Sequence, residues 1–413
     1  MGLVSAAVFA GLGNEVGVIE VDGKKVELLR QGRVPFFEPG LEKLIKKNKI
    51  TFTTSYREVI PEAEVVFICV GTPTIDGRPD LTAILTSTRE VARNLKGQTV
   101  VVIKSTVPPG ANKKIEEVMR LETKAAFELA SMPEFLREGD AIEDTLKPDR
   151  VVIGAKKKWV VDKLMRLNEV LPGERVVCDP VSAQMIKYAA NAFLPMKISF
   201  ANSIAVMCDK FGANAREVLR GMGLDKRIGT AFLRVGIGYG GSCFHKDVQA
   251  LIGMAARQGF DFKILKAVEE TNEGLISYFV NKAERMVGGS LKRKTAALLG
   301  LAFRPETSDM REARSIYLIK ELVKRGAKIR ATDPVAVEEA RKVIKEQVNY
   351  QERVEETVRG ADVLFLVTEW EDYRRLDWVK MKGLMRTPVV IDGRNFYNEK
   401  ELKKLGFEYA GIG

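Results

Sequence analysis

Residues 240–247 read GGSCFHKD and bring a thiol, an imidazole, an ammonium and a carboxylate into one short stretch. Cys243 is one of four cysteines, and His245 is the only histidine in 413 residues. A thiolate is an able nucleophile at neutral pH. Lys246 and a helix start just after the loop would both lower the thiol from its ordinary value near ~8.5. The run GYGGSC (238–243) is too rich in glycine for a core element, and its backbone can approach a ligand closely. His245 stands two residues from Cys243. On a strand the two would share a face and on a helix they would not, so the spacing leaves a Cys–His pair open. A lone cysteine commonly serves as a small buried apolar residue, so its neighbours decide between the two readings.

Two further stretches carry candidates. SMPEFLREG (131–139) places Glu134 just beyond an apolar run, where a carboxylate can act as acid or base. IKYAAN (186–191) sets Lys187 and Asn191 four apart, on one face of a helix. A solvated helix face is the plainer reading of that pair taken alone.

These residues need a frame. VGVIEV (16–21), ITFTTS (50–55), EVVFICV (64–70), TVVVIKS (99–105), AFELAS (126–131) and RVVIGA (150–155) read as strands separated by amphipathic segments. Near-continuous apolar strands alternating with helices indicate a parallel sheet covered on both faces. From Pro180 to about 277 the period is helical, with one long helix interrupted or kinked at Pro195 and a glycine-rich loop at 234–243. Strand–helix alternation returns in TAALLGLAF (295–303), AKIRATD (327–333), ADVLFLVTE (361–369) and TPVVIDG (387–393). The expected fold is α/β: two Rossmann-like domains with parallel sheets, 1–179 and 290–413, joined through a helical domain, 180–289.

Composition narrows the class. The hydrophobic fraction is 46% and the charged fraction 29%, ordinary for a globular protein. No apolar run reaches the roughly 18 residues that span a bilayer, and the N-terminus lacks signal-peptide features. Cys69, Cys178, Cys208 and Cys243 form no CxxC pair, which argues against zinc and disulfides and fits a reducing cytoplasm. The net charge of +11 admits a nucleic-acid binder. The basic clusters near 46, 156 and 292 are short and separate, however, and read as an ion-paired surface, with some of the charge available to phosphorylated ligands.

Nucleotide binding has its own marks. Glu20 closes the first readable strand, and MGLVSAAVFAGLGNE reads as a helix closed by Gly13. In a dinucleotide-binding unit a GxGxxG turn feeds such a helix, and an acidic residue after the second strand holds the ribose hydroxyls. Gly2 suits the last glycine of that turn. The first strand and the other glycines are expected about ten residues upstream of the sequence given, so the sheet should be gapped or rearranged and NAD held weakly. ICVGTP (68–73) and IKSTVPPG (103–110) run from strands straight into turns, where ligands of open α/β sheets bind. Simple turn chemistry explains either motif alone.

Taken in order, VGTP, STVPPG, PEFLREG, EDTLKPDRVVIG, IKYAANAFL, KISFAN, GLDKRIG, GYGGSCF-KD, GLAFRPETSDMRE and IDGRN resemble the UDP-glucose/GDP-mannose dehydrogenase family along nearly the whole chain. The resemblance implies two Rossmann-like domains joined by a long helix that carries a dimer interface. It also implies two successive oxidations of a sugar's primary alcohol by NAD. The family's nucleophile falls on Cys243, with Lys187, Asn191, Asp247, Glu134 and the water-positioning Thr106 as its other catalytic residues. NAD contacts would fall on Glu20, Lys25, Thr72, Thr106, Glu138, Lys246 and Arg311. UDP-sugar contacts would fall on Phe135, Leu136, Lys187, Asn191, Tyr239, Gly240, Arg304, Arg394, and Arg227 reaching into a neighbouring subunit. UDP-glucose is the expected sugar nucleotide. UDP-N-acetylmannosamine, GDP-mannose and a non-catalytic nucleotide-sugar binder are the alternatives.

The chain departs from the family pattern at three positions. Glu20 replaces the usual aspartate and keeps the charge that favours NAD over NADP. Met132 replaces an asparagine before PEF. His245 replaces the proline after CF; because proline transfers no proton, His245 is expected to be a bystander in the chemistry.

Overall fold

The structure is a computed structural model and describes residues 1–413. By internal contact the chain divides into two compact units, Met1–Ala190 with Gln249–Met254, and Asn191–Val248 with Ala255–Gly413.

In the first unit β1 (Val16–Ile19) and β2 (Ile50–Thr53) form a parallel pair. β3 (Val65–Ile68) is followed by a short hairpin of β4 (Thr74–Ile75) and β5 (Arg78–Pro79). Next come β6 (Thr99–Ile103), β7 (Phe127–Ser131), β8 (Arg150–Gly154) and β9 (Glu174–Cys178). They complete a sheet of order β3-β6-β7-β8-β9, parallel except for a single antiparallel contact between β7 and β8. β6 explains why the apolar run TVVVI folds as it does. Val101 and Ile103 pack into one core with Val66, Ile68, Ile84 and Ile115. Val100 and Val102 pack into another with Ala130, Val151 and Ile153. A strand buried on both faces has no use for alternation.

The expected gap is present. β1 pairs only with β2 and β3 only with β6, so no strand of this chain lies between β1 and β3. The helix Gly2–Gly11 packs close by, with Phe9 stacked on Phe67 at 5.6 Å between ring centroids.

In the second unit β10 (Thr295–Leu299), β11 (Lys328–Thr332), β12 (Val348–Tyr350), β13 (Val363–Leu366), β14 (Val389–Asp392) and β15 (Glu408–Ala410) form one sheet. All its pairs are parallel and its order is β12-β11-β10-β13-β14-β15. Numbered within the sheet this is 3-2-1-4-5-6, the Rossmann order, and its switch point lies between β10 and β13.

The long helix is present as Pro180–Phe211, and of the expected interruption or kink near Pro195 the interruption is absent. Pro195 withholds one intrahelical donor, but Ala192 before it and Ala201, Ala205 and Cys208 after it are buried and hold the helix course. β9, β12 and β15 are strands without a clear sequence mark; each lies at a sheet edge.

The switch point yields a stability prediction. Gly300, at φ +90° just past β10, has so little room that a Cβ would lie 2.4 Å from the Thr368 Cβ and 2.6 Å from its backbone nitrogen. Gly300→Ala should destabilise the protein by about 3 kcal/mol or more. Gly383→Ala, in the helix Trp378–Leu384 with open space at its Cα, should stabilise by up to about 1 kcal/mol. Denaturant unfolding of both variants checks this, and equal midpoints would contradict it.

Candidate active site

The first unit gathers charge beyond the carboxyl ends of β6 and β7. Glu134 follows β7 and accepts from the Leu136 N–H at 2.7 Å. The Lys187 Nζ donates to the Glu134 carbonyl at 2.6 Å and lies 3.3 Å from its Oε1. These side chains are only 4% (Lys187) and 13% (Glu134) exposed. Burial pushes the Glu134 carboxyl up, yet the Lys187 ammonium, the Leu136 N–H and the Lys104 charge outweigh it and hold the group below its ordinary value. The Phe135 ring centroid lies 3.7 Å from the Arg150 guanidinium and 5.3 Å from Lys187 Nζ, a cation–π arrangement.

Lys104 has no place among the residues singled out from the sequence. It ends the apolar run of β6 and is buried, and its Nζ lies 6.0 Å from the Phe67 ring centroid. Burial pushes its ammonium below the ordinary lysine value. A lysine closing an otherwise apolar strand, as in VVVIK, is the signal that could have found it.

The turns after β3 and β6 are tied together, since the Thr72 hydroxyl donates to the Thr106 carbonyl at 2.7 Å. Glu20, just past β1, accepts from the Asp22 N–H at 3.0 Å and stands 3.9 Å from Lys25 Nζ. A Cβ on Gly2 would lie 2.8 Å from the Cys69 Cβ. The helix beginning there thus meets the end of β3 as closely as the last glycine of a dinucleotide turn requires. Gly2, Glu20 and the Thr72–Thr106 turns therefore fit a dinucleotide. Glu138 is half-buried in the loop after Glu134.

The second unit holds the nucleophile candidate. Cys243 is the N-cap of the helix Phe244–Arg257, and its Sγ lies 3.5 Å from the Ser242 hydroxyl. The positive end of a helix favours a thiolate. On the helix, Asp247 is 1% exposed, accepts from Asn191 Nδ2 at 2.6 Å and pairs with Lys246 Nζ at 2.5 Å. Three residues named from the sequence thus meet at one carboxylate. His245 leaves the helix toward Glu269, with Nδ1 2.7 Å from Oε2.

The segment before Cys243 forms no helix or strand, as its glycines implied. It is glycine-rich, yet residues 235–239 are buried. Burial obliges its backbone groups to find partners. The Gly236 and Tyr239 N–H groups donate to Asn202 and Asn272 at 2.8 Å each, and the Ile237 N–H to the Gly393 carbonyl at 3.0 Å. Arg314 donates to the Ile237 carbonyl at 2.9 Å, and Arg394 to that of Gly238 at 3.3 Å. Gly240 lies against Glu312, whose carbonyl oxygen would be 2.2 Å from a Cβ there. Arg304 is half-buried in the turn after β10. Arg311 faces Asp309 at 2.7 Å, and Arg227, 88% exposed, turns to Asp225 at 2.6 Å.

A Rossmann sheet, dinucleotide-compatible turns and a helix-capping thiol each agree with an NAD-dependent oxidoreductase, and comparison with known proteins shows that class. The UDP-glucose/GDP-mannose dehydrogenase family matches by its NAD binding domain over 1–171, its central domain over 181–274 and its UDP binding domain over 297–399. UDP-glucose 6-dehydrogenase YwqF of Bacillus subtilis is 43% identical over 420 residues, covering 100% of this chain and 95% of the relative. A UDP-glucose 6-dehydrogenase of Pseudomonas aeruginosa is 42% identical, over 100% and 95%. The solved structure of a UDP-glucose dehydrogenase from Pyrobaculum islandicum superposes with a TM-score of 0.93 at 37% identity, over 100% and 95% of the two chains. The chain belongs to the UDP-glucose/GDP-mannose dehydrogenase family.

The charge group in the first unit gives the next prediction. Glu134→Gln leaves Lys104 and Lys187 buried without their carboxylate and should cost about 3 kcal/mol of stability at pH 7. The Glu134 carboxyl is held below its ordinary value. Such a group contributes stability that is present above its unfolded value and lost as pH falls through the folded one. The gap between wild type and variant should therefore narrow below about pH 4.5. Urea unfolding at both pH values measures it, and a gap that does not change with pH would contradict the assignment.

Proposed function

We propose that the protein oxidises the primary alcohol of UDP-glucose twice, with NAD, to give UDP-glucuronate. The observation that carries this reading is Cys243 capping a helix whose next turn bears Asp247, with Asn191 and Lys246 bonded to that carboxylate. A dehydrogenase that stops at the aldehyde needs no nucleophile. One that goes on to the acid does, because an aldehyde has no second hydride to give until something adds to its carbon.

The proposed roles follow from charge and donor chemistry. Lys187 and Asn191 supply donors for the alkoxide oxygen in the first oxidation. The Cys243 thiolate then adds to the aldehyde carbon and makes a thiohemiacetal. Loss of hydride from that carbon leaves a thioester. Glu134 and Asp247, with Thr106 positioning water, direct attack on the thioester, which releases the carboxylate and restores the thiol. NAD, when bound, takes up the hydride of each oxidation; Glu20, Lys25, Thr72, Thr106, Glu138, Lys246 and Arg311 would hold it. Phe135, Leu136, Tyr239, Gly240, Arg227, Arg304 and Arg394 would hold the UDP-sugar, the arginines suiting the diphosphate.

The family matches support a division into an NAD-binding domain (1–179), a central domain (180–289) and a UDP-sugar-binding domain (290–413). We read the protein as a homodimer. Phe193, Phe200, Met207 and Phe211 are exposed along one helix at spacings of seven and four, and such a stripe suits self-association. A cytoplasmic location agrees with four cysteines that form no disulfide, as a reducing compartment favours. No helix is long and apolar enough to cross a membrane.

The test is NADH formation with UDP-glucose, UDP-N-acetylmannosamine, GDP-mannose and UDP-N-acetylglucosamine. UDP-glucose should give the highest kcat/KM. Cys243→Ala should abolish acid formation and leave UDP-glucose binding nearly intact. Acid production at the normal rate by this variant would overturn the covalent mechanism, and ligand binding without turnover by the wild type would favour a non-catalytic binder.

A further inference from the structure

His245 is the one titratable group of the GGSCFHKD stretch that the proposed chemistry leaves idle, and its surroundings are built. We propose that His245 is a positioning residue: through Glu269 it holds Tyr239 and the loop 236–243 leading into Cys243, and so couples nucleotide-sugar binding at that loop to protonation of the only imidazole in the chain. The inference rests on the reading that Tyr239 and Gly240 contact the UDP-sugar.

Glu269 lies on the helix Lys263–Met286 and is 6% exposed. One of its carboxylate oxygens accepts the Tyr239 hydroxyl and the other lies 2.7 Å from His245 Nδ1. Three residues on, Asn272 holds the Tyr239 backbone at both ends, accepting its N–H at 2.8 Å and donating to its carbonyl at 3.2 Å. Arg314, 4% exposed, closes the clamp by donating to the carbonyls of Ile237 and Asn272 at 2.9 and 2.7 Å. Tyr239 is thus fixed by its backbone through Asn272 and by its hydroxyl through Glu269.

The charge balance makes His245 the pivot. A buried carboxylate needs a cation or several donors. Glu273, one turn along the same helix, and Glu312, in the turn before the helix Arg314–Lys324, add negative charge at His245. On its own helix Lys246 pairs with Asp247. Arg314 lies within reach of Tyr239 and gives its N–H groups to carbonyls. The Tyr239 phenol is pushed up, by burial first and Glu269 second, and stays neutral. The hydrogen bond to Glu269, opposed by burial and aided by the charges of Glu269, Glu312 and Glu273, raises the His245 imidazole above its usual 6.5. A raised imidazole contributes most below its unfolded value, and that contribution is lost as pH rises through the folded one. Above the folded value Glu269 keeps an N–H donor but faces an uncharged imidazole, the clamp loosens, and affinity at the loop falls. Because linkage is reciprocal, a nucleotide that needs the clamp must raise the imidazole further.

A single histidine makes the test clean. The ring resonance of His245 is titrated by NMR in the full-length protein, alone, with UDP, and in Glu269→Gln. The midpoint should lie above the usual 6.5, move up with UDP, and drop in Glu269→Gln. In steady-state assays with UDP-glucose and saturating NAD, KM should rise about fivefold or more as pH passes the midpoint, with kcat changing far less. In His245→Gln, which keeps a donor but does not titrate, KM should be flat across the same range. A midpoint indifferent to both UDP and Glu269→Gln, or a KM profile that survives His245→Gln, would overturn the proposal. Failure of the wild type to oxidise UDP-glucose at any pH would refute the functional reading instead, and the UDP titration would still decide this one.

Discussion

The segment 235–239 is buried without belonging to any helix or strand, and that obligation shapes the second unit. A backbone taken out of water must have its N–H and C=O groups met, at roughly 1–3 kcal/mol for each one left bare. Regular structure meets them by repetition. Here they are met singly, by Asn202, Asn272, Arg314, Arg394 and the Gly393 carbonyl. These partners come from separate parts of the sequence, so the loop is correct only when the central helices and the end of β14 are already in place. The direction in which Cys243 leaves the loop is therefore a property of the whole unit.

Charge in the first unit follows a similar logic. Lys104 and Lys187 are buried, and Glu134 is the carboxylate between their charges. Such a group is expensive to keep and is weak evidence for stability as a design goal. In the proposed function its value would lie in preorganisation: donors and charges fixed before a reaction do not have to reorganise during it. The backbone N–H of Leu136 fixes one oxygen of Glu134 from within the same loop, so the carboxylate is aimed by local chain geometry as well as by charge.

Much of this was legible in the sequence, for identifiable reasons. β6 was readable because an unbroken apolar run has few alternatives to a strand buried on both faces. The helix start at Cys243 was readable because the glycine-rich loop ends there. The gap between β1 and β3 was readable because the Rossmann order assigns a strand there that the residues do not supply. Glu269 was not legible, since nothing in its helical surroundings ties it to His245 and Tyr239 before the chain folds. The choice between an interrupted and a continuous helix at Pro195 was not legible either, because the packing that overrides a proline is tertiary. The glycine loop misleads in the opposite sense: glycine richness suggests a segment outside the core, whereas small residues here let backbone pack on backbone, as Gly240 does against Glu312.

The central claim is that Cys243 carries the substrate between the two oxidations, and the adduct itself is the most direct witness. The protein is mixed with NAD and UDP-glucose, quenched in acid during turnover, digested and analysed by mass spectrometry. The account predicts the mass of the oxidised nucleotide sugar on the peptide bearing Cys243 and none on those bearing Cys69, Cys178 or Cys208. Steady formation of UDP-glucuronate with no adduct on Cys243 at any quench time, or an adduct on another cysteine instead, would contradict it.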